Sequence, residues 1–139
     1  MSKYKSLTIT NCILMNYYSK GKEHFLNVIL DKKADVLTID KVQSIINSLY
    51  TENNCTLDHS HQFISPLKDG DCDLTYNSAK YINAHINHSC EALFNDLARD
   101  FQNNNFIRAS IVINLFYYPL HDNNRNCGVS CYIEKITKL

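Results

Sequence analysis

The most constraining feature of the sequence is the run from Phe106 to Tyr118, in which apolar side chains recur at every second position. Successive side chains of a β-strand point to opposite faces, so a period of two predicts a half-buried strand. The face predicted to pack in the core carries Ile107, Ala109, Ile111, Ile113, Leu115 and Tyr117. The opposite face carries Arg108, Ser110, Val112, Asn114, Phe116 and Tyr118. An arginine and two aromatic rings are an unusual set for a merely solvated surface.

Further strand patterns lie on both sides of this run. Tyr4 to Tyr18 and His24 to Leu30 are predicted to form a hairpin around Ser19–Lys22, which gives the hairpin a basic tip. Lys80 to Asn87 and Val129 to Ile136 also have the composition of strands. Strands therefore dominate the predicted structure.

Helical spacing is clearest in the middle of the chain. One helix face is predicted to carry Ile39, Val42, Ile45, Ile46 and Leu49. Asp40 followed by Gln43 fits a capping box at its start, and Thr38 is an alternative cap. The segment Cys90 to Phe101 is ambiguous between helix and strand, although some of its apolar residues have helical spacing.

Two irregular segments separate these elements, an exposed loop at Glu52 to Ser65 and a turn at Pro66 to Asp73. A chain of 139 residues with 45% hydrophobic content fits one domain, residues 1–139, with a sizeable core. The expected fold class is mainly β with one or two helices, arranged as a small barrel or sandwich.

The charge balance argues against a simple basic nucleic-acid binder. Lys plus Arg and Asp plus Glu are both 14, so the formal net charge is +0. Phosphate neutralisation normally leaves a positive balance, but a neutral protein is still able to gather its cations on one face. No signal-peptide core or bilayer-spanning stretch is evident, so an intracellular protein with reduced thiols and no membrane partner is expected. Its six Cys are then expected to act as small buried hydrophobes.

No motif in the sequence predicts a metal site or an active site. His59, His61 and several Cys are scattered without the CxxC knuckle that structural zinc usually requires. A nucleophile elbow, a P-loop and HExxH are absent. The alternating Asp69, Asp71 and Asp73 fit a solvated turn better than a divalent-metal site. The chain is therefore expected to be no enzyme and to use no metal or cofactor, with a small metal-dependent enzyme acting on nucleic acid as the rival.

Aromatic and basic residues are interleaved along the C-terminal half. They are Tyr76, Tyr81, Phe116, Tyr118 and Tyr132, with Lys68, Lys80, Arg108, Arg125 and Lys135. Single-stranded nucleic acid is held by base stacking on such rings and by cations along its backbone. Ordinary strand tyrosines with a solvated hydroxyl would give the same pattern, so the interleaving alone leaves the two interpretations balanced.

The order of four motifs between Pro66 and Leu139 resembles the small single-stranded DNA-binding proteins of tailed phages and related viruses. The motifs are Lys68-Asp69-Gly70-Asp71, Tyr81-Ile82-Asn83-Ala84, Phe116-Tyr117-Tyr118, and Gly128-Val129-Ser130 with Ile133 and Ile136. The resemblance implies an OB-like β-barrel that coats single-stranded DNA during viral replication and recombination. It also implies a homodimer and replication proteins as partners.

On this basis we predict sequence-independent binding of single-stranded DNA. The residues predicted to stack on bases are Tyr81, Phe116, Tyr118 and Tyr132, and those predicted to contact phosphates are Lys80, Arg108, Arg125 and Lys135. Lys20 and Lys22 at the hairpin tip are weaker candidates. The alternative is a viral accessory protein-interaction module with an OB-like barrel and no nucleic-acid affinity. RNA binding is a variant, because stacking does not distinguish the sugars.

Overall fold

The computed structural model describes residues 4–21, 23–53, 64–70, 78–86, 91–118 and 128–139, and for residues 91–95 only the helical backbone. The elements are β1 (Tyr4–Lys20), β2 (Glu23–Asp31), α1 (Val36–Glu52), β3 (Leu67–Asp69), β4 (Ala79–Ile86), α2 (Glu91–Asn103), β5 (Phe106–Tyr118) and β6 (Gly128–Lys138). The described ranges are thus mainly strand with two helices, as predicted.

Five of these strands close into a barrel. β1 pairs antiparallel with β2 and β5, while β2 pairs with β4 and β5 pairs with β6, also antiparallel. The parallel pairing of β4 with β6 completes the ring. The short β3 pairs with β4 beside that contact. The closed five-stranded arrangement confirms the predicted OB-like barrel.

The inward rows of the strands form one continuous hydrophobic core. In β5 the predicted face is confirmed, because Ala109, Ile111, Ile113 and Leu115 are buried and the two residues at its ends pack against the core. The predicted face of α1 is buried at Ile39, Val42, Ile46 and Leu49. In α2, Leu97 is fully buried. The segment that was ambiguous in the sequence is therefore helical, and it packs an apolar face on the barrel.

β1 pairs with β5 along most of its length and with β2 along its second half. Register shifts occur between Ile9 and Cys12 and between Met15 and Tyr18. Asn16, inside the second shift, has a φ of 57°, a left-handed conformation that asparagine tolerates better than most residues. Bulges of this kind bend a strand and increase its twist, which allows β1 to curve around the barrel.

The predicted start of the first helix is wrong. α1 begins at Val36, and no capping box forms at Asp40–Gln43. The chain instead turns at Asp31, whose carboxylate accepts hydrogen bonds from the backbone N–H groups of Lys33 and Ala34 at 2.7 and 2.8 Å. This turn fixes the entry to the helix about one turn earlier, where Val36 and Leu37 are exposed and do not extend the buried face.

The turn predicted at Pro66 to Asp73 is wrong in its first part. Leu67–Asp69 forms β3, whose central residue Lys68 lies opposite Tyr81 of β4. The edge of β4 that pairs with β3 is not occupied by β6, because β6 pairs only with the end of β4 from Ala84 to Ile86.

The two cysteines in the described ranges are buried free thiols, as predicted. Burial raises the pKa of Cys12 to about 12, and burial also raises the pKa of Cys131. Within the described ranges, the helices are too short or too polar to cross a membrane.

Candidate functional site

A groove of about 490 Å³ lies on the outside of the barrel, where β4, β5 and β6 approach the tip of the β1–β2 hairpin. Its lining combines aromatic rings with a few polar groups. The lining residues are Glu23, His24, His85, Ile86, Asn114, Phe116, Tyr118, Ser130 and Tyr132.

A row of six aromatic rings crosses this groove and continues around the outer face of the barrel. In order, the rings of this aromatic row belong to Tyr4 of β1, Phe116 of β5, Tyr132 of β6, His85 of β4, Phe25 of β2 and Tyr18 of β1. Neighbouring ring centroids are 5.2, 5.6, 4.8, 4.6 and 5.0 Å apart in that order. Four of the rings, those of Tyr4, Tyr18, Phe116 and Tyr132, are 36–54% exposed. They are therefore accessible to planar ligands.

Strand register produces the aromatic row. His85 lies opposite Phe25 in the antiparallel β2–β4 pair and opposite Tyr132 in the parallel β4–β6 pair. Tyr18 lies opposite Phe25, and Tyr4 lies opposite Phe116. Side chains in register on neighbouring strands share a face, so these strands place their rings on the same, outer face of the sheet.

A polar contact fixes the floor of the groove between two of these rings. Asn114 lies opposite Tyr132 on β6 and opposite Ser6 on β1. The Ser6 hydroxyl donates to Asn114 Oδ1, and Asn114 Nδ2 donates to Glu134 Oε2 at 3.1 Å. Both ends of the Asn114 amide are therefore satisfied although the residue is only 9% exposed, which holds β1, β5 and β6 in register below the groove.

The end of the groove depends on the close approach of Tyr118 to Gly128. A Cβ placed on Gly128 would lie 2.6 Å from the Tyr118 hydroxyl and would also collide with the backbone carbonyl of Ile64. That carbonyl accepts a hydrogen bond from the Val129 N–H at 2.9 Å. Glycine is needed here because only a residue without a side chain leaves room for both neighbours.

The groove carries little positive charge in its described lining. Burial lowers the pKa of His85, and the Glu23 carboxylate opposes this effect only in part, so the imidazole is mostly neutral at pH 7. Glu23 is the one carboxylate side chain of the described lining, which contains no Lys or Arg. Exposed cations lie at the margins: Lys20 is opposite Glu23 at the hairpin tip, and Lys135 follows Tyr132 on β6.

The structure brings three of the predicted stacking residues together, because Phe116, Tyr118 and Tyr132 all line the groove. Tyr81 lies elsewhere. It shares the outer face of β4 with His85 but is four residues away, about 13 Å at the usual rise of a strand.

The predicted phosphate contacts are dispersed. Arg108 lies opposite Ile13, eight residues from Phe116, or about 26 Å along β5. Lys80 lies opposite Leu30, in the inward-facing row at one end of the barrel. Lys135 is exposed and lies about 10 Å from Tyr132 along β6. Arg125 and Lys22 lie outside the described residues.

Other predicted features also fall outside the described residues, among them His59, His61, Asp71 and Asp73. In the part of the chain that the structure describes, no three His, Cys, Asp or Glu side chains are close enough together to hold a metal ion.

Sequence reasoning missed four members of the aromatic row and Glu23. Alternation in β1, β2 and β4 would have shown which side chains share a face of each strand. The missing information was the register between strands far apart in the sequence, which places His85 between Phe25 and Tyr132.

No protein-family profile and no curated protein matches this sequence. Solved structures do match its fold. The single-stranded DNA-binding protein from bacteriophage Enc34 aligns with a TM-score of 0.70 at 12% identity, over 96% of this chain and 79% of that one. Its C-terminally truncated form gives 0.68 at 15% identity, over 96% and 83%. The same protein in complex with single-stranded DNA gives 0.64 at 12% identity, over 96% and 85%. The fold of this chain is therefore similar to that of a phage single-stranded DNA-binding protein, as the sequence motifs predicted.

Proposed function

We propose that this chain is a non-enzymatic protein that binds single-stranded DNA with little sequence preference. The observation that carries the proposal is the aromatic row, which presents four exposed rings around the outer face of an OB-like barrel. Every base has a π-face, so such rings bind single strands without reading their sequence.

Bases are proposed to stack in the groove on Phe116 and Tyr132, with Tyr118 closing one end. The rings of Phe116 and Tyr132 meet edge to face, at 88°. Their ring planes are therefore nearly perpendicular, and each ring stays 36% exposed beside its stacked neighbour, Tyr4 or His85. OB-type barrels bind oligonucleotides on their outer strands and adjoining loops, which is where this groove lies.

Phosphates are proposed to run along the margins of the groove, beside Lys20 and Lys135. The Glu23 carboxylate disfavours phosphates inside the groove, whereas the exposed ammonium groups attract them outside it. Arg108, Lys80 and Tyr81 lie outside the described lining of the groove and keep their predicted contacts only for nucleotides beyond it. Arg125 and Lys22 keep their predicted roles as further phosphate contacts.

The same fold occurs in a phage protein that was solved with single-stranded DNA, and this supports the proposal. We propose a role in viral or phage DNA replication or recombination inside the host cell. Replication proteins and a second copy of the chain are the partners that such a role would involve.

The test is a titration with a labelled oligo-dT of about 12 nucleotides at low salt, followed by fluorescence anisotropy. The chain has no Trp and nine Tyr, so quenching of tyrosine emission reports stacking independently. Phe116→Ala is expected to weaken binding about tenfold, since stacking contributes about 1–3 kcal/mol per base. No binding at low salt would refute the proposal.

Phe106→Ala is the matched control for Phe116→Ala. Phe106 lies on the same face of β5 and is 48% exposed, but it is ten residues from Phe116 and outside the groove. Its loss is expected to leave the affinity unchanged. An equal loss in both variants would mean that β5 does not bind DNA through the groove.

One observation favours a second candidate, a viral accessory module that binds protein. The described lining of the groove contains no Lys or Arg, and the whole chain has a formal net charge of +0. Such a module would leave the oligonucleotide unbound at any salt concentration, so the same titration separates the two functions.

A further inference from the structure

We propose that Glu23 contacts the edge of a base stacked in the groove and favours bases that present an exocyclic amino group. The proposal rests on the proposed function, because it assigns a base preference to the same groove. It adds a modest selectivity to binding that is otherwise independent of sequence.

Glu23 is positioned to reach a base rather than to hold the fold together. It is the first residue of β2 and lines the groove together with His85 and Tyr132, whose rings stack at 4.8 Å. Its register partner across the hairpin is Lys20, but the ion pairs formed among the described residues do not include either side chain. The side chain is exposed, so its carboxylate has lone pairs available to a ligand.

The neighbouring polar groups leave the acceptor role to Glu23. The Asn114 amide is engaged at both ends, by Ser6 and by Glu134. His24 also lines the groove, and its Nδ1 lies 2.6 Å from the Tyr17 hydroxyl. The hydroxyls of Tyr118, Ser130 and Tyr132 and the His85 imidazole donate as well as accept, so Glu23 is the group of the described lining that only accepts.

A carboxylate only accepts hydrogen bonds, and this determines which bases suit it. Cytosine offers its N4 amino group and adenine its N6 amino group, and both donate. Thymine and uracil carry a carbonyl oxygen at the position where cytosine carries its amino group, so an acceptor would face an acceptor. The same negative charge repels phosphate, which keeps base edges rather than the backbone next to Glu23.

The experiment compares oligo-dC with oligo-dU, each of about 12 nucleotides, near neutral pH. These bases have the same ring size and neither has a methyl group, so they differ mainly in the amino and carbonyl groups at position 4. The native protein is expected to bind oligo-dC about three to ten times more tightly, which corresponds to the net contribution of one typical hydrogen bond. In Glu23→Gln the ratio is expected to fall close to one, because an amide both donates and accepts.

Asp40→Asn is the matched control, since it removes the same charge from an exposed position on α1, away from the groove. It is expected to keep the ratio of the native protein. Glu23→Gln also reduces the repulsion of phosphate, which raises the affinities for oligo-dC and oligo-dU by the same factor. The ratio of the two affinities is not changed by this effect. Equal binding of the two oligonucleotides by the native protein, or an unchanged ratio in Glu23→Gln, would overturn the inference while leaving the proposed function intact. If the native protein binds neither oligonucleotide, the result refutes the proposed function itself.

Discussion

The imidazole of His85 lies almost face to face with the phenol ring of Tyr132, with centroids 4.8 Å apart and planes 21° apart. The two residues are direct register partners in the parallel β4–β6 pair, which closes the barrel. Closure of the barrel and continuity of the aromatic row thus depend on the same contact. A change in either ring will affect both the stability of the fold and the surface of the groove.

His85 is expected to make stability depend on pH. Burial lowers its pKa below the ordinary 6.5, so between the folded pKa and 6.5 the unfolded chain binds more protons than the folded one. The contribution of His85 is therefore fully present above 6.5, is lost as the pH falls through this window, and is constant below the folded pKa. Urea unfolding between about pH 7.5 and pH 5 should show a smaller acid destabilisation for His85→Phe than for the native protein. Identical pH profiles would contradict this.

Gly128→Ala is expected to destabilise the protein and to weaken the proposed DNA binding together. The new methyl group would overlap the Tyr118 hydroxyl and the Ile64 carbonyl, and such overpacking typically costs about 1–3 kcal/mol. Displacement of Tyr118 would also alter the end of the groove. Urea unfolding and the oligo-dT titration measure the two effects. Gly21→Ala is the comparison: nothing lies near its Cβ, but its φ of +63° makes alanine strained, so it should lose about 1 kcal/mol of stability without steric overlap.

The salt dependence of binding should identify the cations that contact phosphate. For single strands, each phosphate contact contributes about 0.7 to the slope of log K against log salt concentration. Lys20→Gln and Lys135→Gln are each expected to reduce that slope by about this amount. Arg108→Gln, about 26 Å along β5 from Phe116, is expected to leave it unchanged. A reduced slope for Arg108→Gln alone would indicate that the DNA binds along another side of the barrel.

Cys12 and Cys131 are expected to resist alkylation in the folded protein. Both are buried, and burial raises the pKa of each thiol, so little reactive thiolate is present near neutral pH. Iodoacetamide treatment followed by peptide mass spectrometry should find these two positions unmodified in buffer and modified in urea. Rapid labelling without denaturant would show that the barrel opens locally at β1 or β6.

The sequence predicted the strands and helices whose pattern depends only on residues close together along the chain. The strand Phe106–Tyr118 was confirmed with its buried face, because a period of two depends only on neighbours along the chain. The helix face from Ile39 to Leu49 was predictable for the same reason. The start of α1 was not, because it depends on the turn at Asp31, and the first two residues of the helix, Val36 and Leu37, are exposed.

The candidate site was predictable only in part, because it is made by pairing between distant strands. Phe116, Tyr118 and Tyr132 stood out as aromatics in strongly marked strands. His85 and Phe25 did not, since each gains its place in the aromatic row from register partners on other strands. The short β3 has the sequence of a turn, and its three residues become a strand only by pairing with the open edge of β4.

The long pairing of β1 with β5 also has a consequence for how the molecule folds. The hydrogen bond between Ser6 and Asn114 joins positions 108 residues apart, and the whole β1–β5 ladder has comparable separations. Contacts this distant must overcome a large loop-closure entropy, so folding is expected to be slow for a domain of this size. During synthesis, β1 and β2 leave the ribosome well before β5 and β6. The groove is therefore assembled late, and a nascent chain acquires it only when β6 has emerged.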